Sequence, residues 1–206
     1  KTFFDHSIIL APVNFLFVLT SKVPKTPFIS LENIPELKLL TENWKIFREE
    51  ALELSEKNKI MVASNNDDIG FNSFFTYGWK RFYLKWYDAK HPSAEISCPK
   101  SVKILKSIPS VKAAMFAKLP PGGKLNPHRD PYAGSLRYHL GLITPNSDDC
   151  FILVDGEKYS WRDGEAVLFD ETYIHQAKNT SQVDRIILFC DIERPTKVKL
   201  VTQINE

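Results

Sequence analysis

His128-Arg129-Asp130, then His175 and Arg185, are the residues of this chain whose types and spacing best suit chemistry. On a strand side chains alternate, so His128 and Asp130 would project to one face and Arg129 to the other. Two imidazoles and one carboxylate on one side of a metal form the ligand set of non-haem Fe(II) oxygenases, which leaves positions open for a cosubstrate and dioxygen. Arg185 adds a planar fork able to grip a carboxylate through two parallel hydrogen bonds. His-x-Asp alone arises by chance in many chains. Its company here is what gives it meaning.

The elements that must hold these residues are legible as alternating patterns. In Ser135 to Ile143, Leu136, Tyr138, Leu140 and Leu142 share one face, which leaves Arg137 and His139 on the other with Gly141. A cation and an imidazole that point together into a core need partners, because an unsatisfied buried charge is costly. They are therefore expected either on a solvated outer face or lining a cavity beside the metal. Asp184 to Ile192 repeats the pattern: Ile186, Leu188, Cys190 and Ile192 on one face, Arg185, Ile187, Phe189 and Asp191 on the other. His175 follows the apolar run Ala166 to Phe169 and the polar Asp170-Glu171-Thr172, a strand-end position where ligands are often carried.

Composition bounds the rest. The chain has 206 residues, 43% of them hydrophobic, enough for one compact domain with a sizeable core. A net charge of +2 falls short of the basic excess of a dedicated nucleic-acid binder. Cys98, Cys150 and Cys190 are odd in number and widely spaced, which disfavours a disulfide framework or a structural zinc site. G-x-S-x-G, H-E-x-x-H and a phosphate-cradling G-x-x-x-x-G-K are absent.

The chain starts at Lys1, not Met, and reads as a segment of a longer protein. The apolar stretch Ile8 to Leu19, interrupted by Pro12 and Asn14, is too short to cross a bilayer by itself and suits either an interfacial segment or an arm packed on the domain. Residues 1–34 are accordingly expected to be a membrane-proximal arm, and 35–206 the functional domain, with a helical front part to 110 and a strand-rich part from 111.

In the front part, Leu37, Leu40, Trp44, Phe47, Ala51 and Leu54 alternate at spacings of three and four, which predicts one amphipathic helix from Pro35 to Lys57 with Asn33 as a nearby cap. Ser64 to Gly70 reads as a polar loop. Within the aromatic block Phe71 to Tyr87, Phe82, Leu84 and Trp86 are expected on one face of a strand and Arg81, Tyr83 and Lys85 on the other. Lys80, Arg81 and Lys85 would suit a phosphate and Phe82 and Trp86 an acyl chain, or the rings are simply core. A short helix from Pro99 should bury Val102, Leu105 and Ile108. From Val111 onward, short apolar runs separated by Pro120–Gly123, Pro145-Asn146, Asp155-Gly156 and Asp163-Gly164 predict a double-sheet jelly roll. Lys118, Lys124 and Arg129 place positive charge around the mouth, more as solvated surface than as recognition.

The runs LPPGGKLNPHRDPYAGSLRYHLGLITP, YSWRDGEAVLFDETYIHQAKN and DRIILFCDIERP resemble the aspartyl/asparaginyl β-hydroxylase family, and within it the bacterial lipid A acyl-chain hydroxylases. The block GFNSFFTYGWKRFYLKWYDAKHPSAEISCP and the segment NWKIFREEAL extend the resemblance over most of the chain. It implies a mainly β fold with flanking helices, a cupin-like double-stranded β-helix. His128 and His175 match the family's iron-binding histidines, Arg185 the arginine for the distal carboxylate of 2-oxoglutarate, and Arg137 with His139 the R-x-H pair that helps hold that cosubstrate. Asp130 departs from the animal aspartyl hydroxylases, which have glycine there. Ala117 departs too, standing where those relatives carry a cosubstrate-binding serine.

The expectation is therefore an Fe(II)- and 2-oxoglutarate-dependent dioxygenase with His128, Asp130 and His175 on the iron. It would hydroxylate C-2 of a secondary acyl chain of lipid A or a related acylated glycolipid, at the cytoplasmic face of the bacterial inner membrane, using dioxygen and releasing succinate and CO2. Neither nucleic acid nor an obligate protein partner is expected. Two alternatives stay open: hydroxylation of an Asp or Asn side chain in a protein, and a metal-binding jelly roll without catalysis.

Overall fold

The front of the chain supplies helix α1 (His6–Thr20), a short strand β1 (Phe28–Ile29), helices α2 (Lys38–Glu42) and α3 (Trp44–Glu56), strands β2 (Met61–Val62) and β3 (Lys80–Trp86), and helices α4 (Pro92–Ser97) and α5 (Pro99–Lys106). This computed structural model describes residues 6–56, 61–62, 80–89 and 91–202. The expected loop Ser64 to Gly70 and the first half of the aromatic block lie outside them.

The single helix expected from Pro35 is broken. A 3₁₀ turn over Pro35–Leu37 leads into α2, and the chain bends at Asn43 before α3 begins. The Asn43 side-chain amide donates to the Leu39 carbonyl at 2.8 Å, a local bond that competes with helix continuation. The apolar stripe survives the break, since Leu37, Leu40, Phe47, Ala51 and Leu54 are all buried. Asn33 does not cap this segment: its side chain turns back to the Ser30 carbonyl, and Ser30 caps the preceding 3₁₀ turn. The helix from Pro99 forms as expected and buries Val102 and Leu105, and Ile108 is buried just beyond its end. Buried Glu50 on α3 accepts from the Lys100 and Ser101 amides at 3.1 and 2.9 Å, so its carboxylate stabilises the N-terminus of α5.

From residue 111 onward, eight strands pair by one rule, the first with the last. They are β4 (Val111–Leu119), β5 (Lys124–His128), β6 (Ser135–Ile143), β7 (Cys150–Val154), β8 (Glu157–Ser160), β9 (Ala166–Phe169), β10 (His175–Asn179) and β11 (Arg185–Glu193). β4 pairs with β11, β5 with β10, β6 with β9 and β7 with β8, all antiparallel. That is one long hairpin rolled into two facing sheets: the double-sheet jelly roll expected from the turn spacing, in the double-stranded β-helix form that the resemblance implies. The larger sheet runs β1-β9-β6-β11-β4-β3-β2 and the smaller β5-β10-β7-β8. A short helix α6 (Lys199–Thr202) follows.

Period-two alternation divides the larger sheet into two cores. Leu136, Tyr138, Leu140 and Leu142 of β6, with Ile186, Leu188, Cys190 and Ile192 of β11, pack against the front helices. Ile187 and Phe189 face the smaller sheet and its Leu125, Ile152 and Ala177. Each such buried aliphatic side chain contributes roughly 1.5–3 kcal/mol, so a one-residue slip in register would be heavily penalised. Arg137, His139 and Arg185 share the inner face with the second core. Gly141 continues that row, and a methyl group there would sit 2.1 Å from the Arg162 carbonyl oxygen. Its lack of a side chain lets the turn segment between β8 and β9 lie close against β6, the segment that carries Trp161 into the interior.

Strand β3 departs from the expected alternation. Tyr83 pairs with Met115 but Lys85 with Ala114, so Leu84 is the extra residue of a β-bulge. Beyond it the faces exchange. Trp86, opposite Ala113, joins Tyr83 on the inner side, their rings 5.5 Å apart, while Lys85 turns toward the helices with Phe82 and Leu84. The grouping of Phe82, Leu84 and Trp86 on one face is thereby corrected.

Candidate metal and dicarboxylate site

His128 ends β5, His175 begins β10, and the two are direct cross-strand partners with ring centroids 4.2 Å apart. Asp130 does not lie on the strand, which stops at His128. A bend brings it back instead, fixed by its amide donating to the Glu171 carbonyl at 2.9 Å. The three side chains can offer donor atoms all within 4.8 Å of one another. Arg129 is exposed, pointing away from them as expected.

Backbone carbonyls set the ring tautomers. His128 Nδ1 lies 2.8 Å from the Asn126 oxygen, and His175 Nδ1 lies 3.0 Å from the Tyr173 oxygen. A carbonyl only accepts, so each Nδ1 carries the proton and each Nε2 keeps its lone pair. Burial lowers the pKa of both rings, that of His175 to about 3 with further help from the neighbouring His128. Both imidazoles are thus neutral at pH 7, the form that binds a metal.

Arg137 is buried amid three carboxylates. Its Nη2 donates to Asp130 Oδ2 at 3.0 Å and to Glu171, and its Nη1 lies 2.6 Å from Asp191 Oδ1. Burial alone would lower its pKa, but Asp191, Glu171 and Asp130 together raise it. The acids respond in the opposite sense. Burial, only partly offset by Arg137, pushes Glu171 up to about 7 and Asp191 up to about 6. Three carboxyl groups share one guanidinium, and a divalent cation on His128, Asp130 and His175 would favour the ionised form of the two acids that burial pushes up. The donor set and the charge balance both fit such an ion.

Away from that cluster the cavity changes character. It runs past His139 to Arg185 between walls that include Trp161, Phe169, Phe189 and Ile152. Arg185 is 0% exposed, lies 4.5 Å from the Trp161 ring, and has its pKa lowered by burial to about 10. A surface arginine paired with Asp184 or Asp191 is excluded, because Asp184 pairs with Lys118 and Asp191 with Arg137. His139 sits 5.1 Å from both Phe169 and Phe189, and neither ring nitrogen has a hydrogen-bond partner among the described residues. Burial, followed by Arg185 and Arg137, lowers its pKa well below the usual value, so it is neutral and has an N–H to offer a ligand. A guanidinium at the far end, an imidazole midway and a metal-ligand set at the mouth suit a short dicarboxylate.

The structure therefore brings together His128, Asp130, His175, Arg137, His139 and Arg185, but it redistributes their tasks. Arg137, expected on the cosubstrate, holds Asp130 and two further acids instead. Lys80, Arg81, Lys85 and Trp86 do not form one surface: Lys80 and Lys85 lie on the helix side of β3, and Arg81 and Trp86 on the inner side. Arg81 lies over Tyr83, its guanidinium carbon 5.1 Å from the ring centroid. Ala117 is buried between the sheets opposite Ile187. Sequence reading missed Glu171, Trp161 and the pair Arg194–Asp170. Arg194 donates to Asp170 at 2.7 Å and to the Ala133 carbonyl at 2.5 Å, bracing the segments that carry Glu171 and Asp130. Asp191, which alternation along the strand had already placed on the face of Arg185, stands opposite Arg137 in the β11–β6 register.

Comparison with known proteins places this geometry in a family. The model of the family described as Aspartyl/Asparaginyl beta-hydroxylase matches residues 41–195, and the chain belongs to that family. It is 39% identical over 120 residues to an ornithine lipid ester-linked acyl 2-hydroxylase of Rhizobium tropici, covering 58% of this chain and 43% of that protein. It is 26% identical over 164 residues to the aspartyl/asparaginyl beta-hydroxylase of Homo sapiens, covering 77% of this chain and 21% of the human protein. The matches thus span less than half the length of these two relatives. Among solved structures, a Pseudomonas putida prolyl-4-hydroxylase aligns over 90% of this chain and 99% of its own, with 15% identity and a TM-score of 0.49.

Proposed function

We propose that this chain is the catalytic domain of an Fe(II)- and 2-oxoglutarate-dependent dioxygenase that hydroxylates C-2 of an ester-linked acyl chain of a bacterial membrane lipid. The observation that carries the reading is the alignment, along one cavity, of the His128–Asp130–His175 cluster with His139 and buried Arg185. Bound there, iron(II) and 2-oxoglutarate would supply the oxidising power to convert an unactivated C–H into C–OH with dioxygen, giving succinate and CO2. The similarity to an ornithine-lipid hydroxylase shifts the emphasis from lipid A alone to the ester-linked acyl chain that both lipids carry.

The protein's own part is to bind, orient and exclude water. Nε2 of His128, Nε2 of His175 and an Asp130 oxygen would hold the iron, and Arg137 holds Asp130 in place by a 3.0 Å hydrogen bond. Arg185 would clamp the distal carboxylate, a charge-assisted interaction worth about 1.5–3 kcal/mol. His139 would donate to the cosubstrate midway along the cavity. Phe169, Phe189 and Trp161 keep that stretch dry, which strengthens each polar contact inside it. A membrane setting at the cytoplasmic face of the inner membrane is part of the same reading. Among the described residues no helix is long and apolar enough to cross a bilayer.

Anaerobically loaded protein is incubated with lipid A or ornithine lipid and then exposed to air, and mass spectrometry follows the acyl chains. A hydroxyl at C-2 is expected with wild type, and its loss in His128→Ala together with loss of Fe(II) binding. Succinate release stimulated by an Asp- or Asn-containing peptide, with both lipids unmodified, would replace this reading with a protein hydroxylase. Metal binding without substrate-dependent consumption of 2-oxoglutarate would leave a non-catalytic jelly roll.

A further inference from the structure

We propose that the cleft between the end of β3 and helices α4 and α5 is an anion-binding pocket, centred on Lys85, that receives the charged headgroup of the lipid substrate. The cleft holds about 330 Å³, has Leu84 and Val102 in its wall, and is flanked by Lys85, Tyr87, His91 and Lys106. Taking the lipid headgroup as its occupant rests on the acyl-hydroxylase reading above. The anion chemistry does not.

Lys85 is in this cleft because of the Leu84 bulge, which turns it off the inner face of the sheet. It is half-buried and makes no ion pair among the described residues. Its neighbours make matters worse. Burial and then the charge of Lys112 lower its pKa, against smaller opposing effects from Cys190 and Asp88, with Lys106 adding a still smaller lowering. The acids nearby are committed or solvated: Glu95 pairs with Lys106 at 2.7 Å, Glu193 pairs with Lys112 at 3.1 Å, and Asp88 lies exposed at the rim. His91, its ring stacked on Tyr83, has its buried Nε2 without a hydrogen-bond partner among the described residues. A half-buried ammonium without a counterion, beside an unsatisfied imidazole, is the local chemistry that an anion completes.

The position suits the substrate. C-2 is bonded to the ester carbonyl carbon, so a headgroup esterified there must bind close to the reacting carbon. Trp86 stands opposite Ala113, at the end of the sheet where Asp191 and Arg137 pair. Tyr87, turned by a left-handed backbone (φ 46), carries the chain from that end into the cleft, and its hydroxyl feels Asp191 and Glu171. Phosphate and carboxylate headgroups share the required chemistry.

Inorganic phosphate and, in a separate arm, acetate are titrated into protein carrying metal and 2-oxoglutarate, and the amide resonances of Lys85 to Ala89 are followed by NMR. Wild type should saturate, and Lys85→Gln should bind about tenfold or more weakly, the loss of one charge-assisted bond. Lys85→Arg should keep most of the affinity, and unchanged metal binding certifies the fold of each variant. Preference for phosphate points to a phosphorylated headgroup, and preference for acetate to a carboxylate one. Equal binding by wild type and Lys85→Gln, or none by wild type, overturns the pocket. Lipid kinetics separate the two claims. If Lys85→Gln loses the anion while wild type hydroxylates neither lipid, the pocket stands and the acyl-hydroxylase reading falls. If the variant hydroxylates lipid with unchanged KM, the headgroup assignment falls while the acyl-hydroxylase reading stands.

Discussion

The two ends of the central cavity solve opposite electrostatic problems. At the mouth, three carboxylates crowd one guanidinium, Arg137, and the local balance is negative. At the far end, Arg185 lies buried between aromatic and aliphatic walls, with burial lowering its pKa rather than acids raising it. In the proposed function one end would receive a cation and the other an anion, with neutral His139 between them. A site with this polarity would hold a dicarboxylate in one direction only, with one terminus toward the ligand cluster and the other toward Arg185. The comparison also separates two arginines that look alike in sequence. Both sit on inner faces of adjacent strands, yet one pairs with three carboxylates and the other lies against aromatic and aliphatic walls.

The largest effect should come from removing the cation at the mouth. Arg137→Met strands buried Glu171 and Asp191 together with partly buried Asp130, and breaking a buried ion pair from one side costs about 3–5 kcal/mol. Metal-free protein should lose that much stability in urea denaturation, and saturating Mn(II) should restore part of it by offsetting the same charges. If metal-free Arg137→Met were as stable as wild type, the carboxylates would not depend on this arginine. At the far end the expected loss is smaller and purely in binding. Arg185→Lys keeps the charge but not the fork, so the KM for 2-oxoglutarate should rise by about 10- to 100-fold, equivalent to 1.5–3 kcal/mol. Metal affinity should be unchanged. A matching fall in Mn(II) affinity would mean that the two ends are not independent.

The same contrast explains how much was readable in advance. Along β6 from Leu136 to Gly141 and along β11 side chains alternate, so spacing put Arg137 with His139, and Arg185, on the faces opposite the aliphatic rows. Whether those faces were solvated or inner stayed open, and the structure buries them. β3 has a bulge that no residue type announces, and one extra residue reversed the faces of Lys85 and Trp86. The break at Asn43 left the helical stripe intact, because α2 and α3 still bury the same side. Glu171 was invisible for a different reason. It lies in the segment between β9 and β10 and reaches Arg137 only through the closure of the two sheets, a contact between residues 34 positions apart. Local pattern fixes which face a residue takes. It does not say which loop will meet that face.

The smallest effect, and the finest test of the contrast, is a pH dependence confined to the mouth. Asp191 has a pKa of about 6 against an ordinary 3.8, because burial outweighs its attraction to Arg137. The folded protein therefore keeps a proton there that the unfolded chain gives up. Stability from this proton is fully present below about pH 4 and is lost as pH rises through 6. Asp191→Asn has no such proton to lose. In metal-free protein the stability of wild type minus that of the variant should fall between pH 4 and 7, by roughly 3 kcal/mol at most. Thermal melts at matched ionic strength measure that difference, and the opposite trend of neutral His175, common to both proteins, cancels in it. Bound Mn(II) should flatten the profile, since a divalent charge nearby favours the ionised acid. A difference that is level with pH would show Asp191 to be ionised throughout, and the mouth would then hold its negative charge even without a metal.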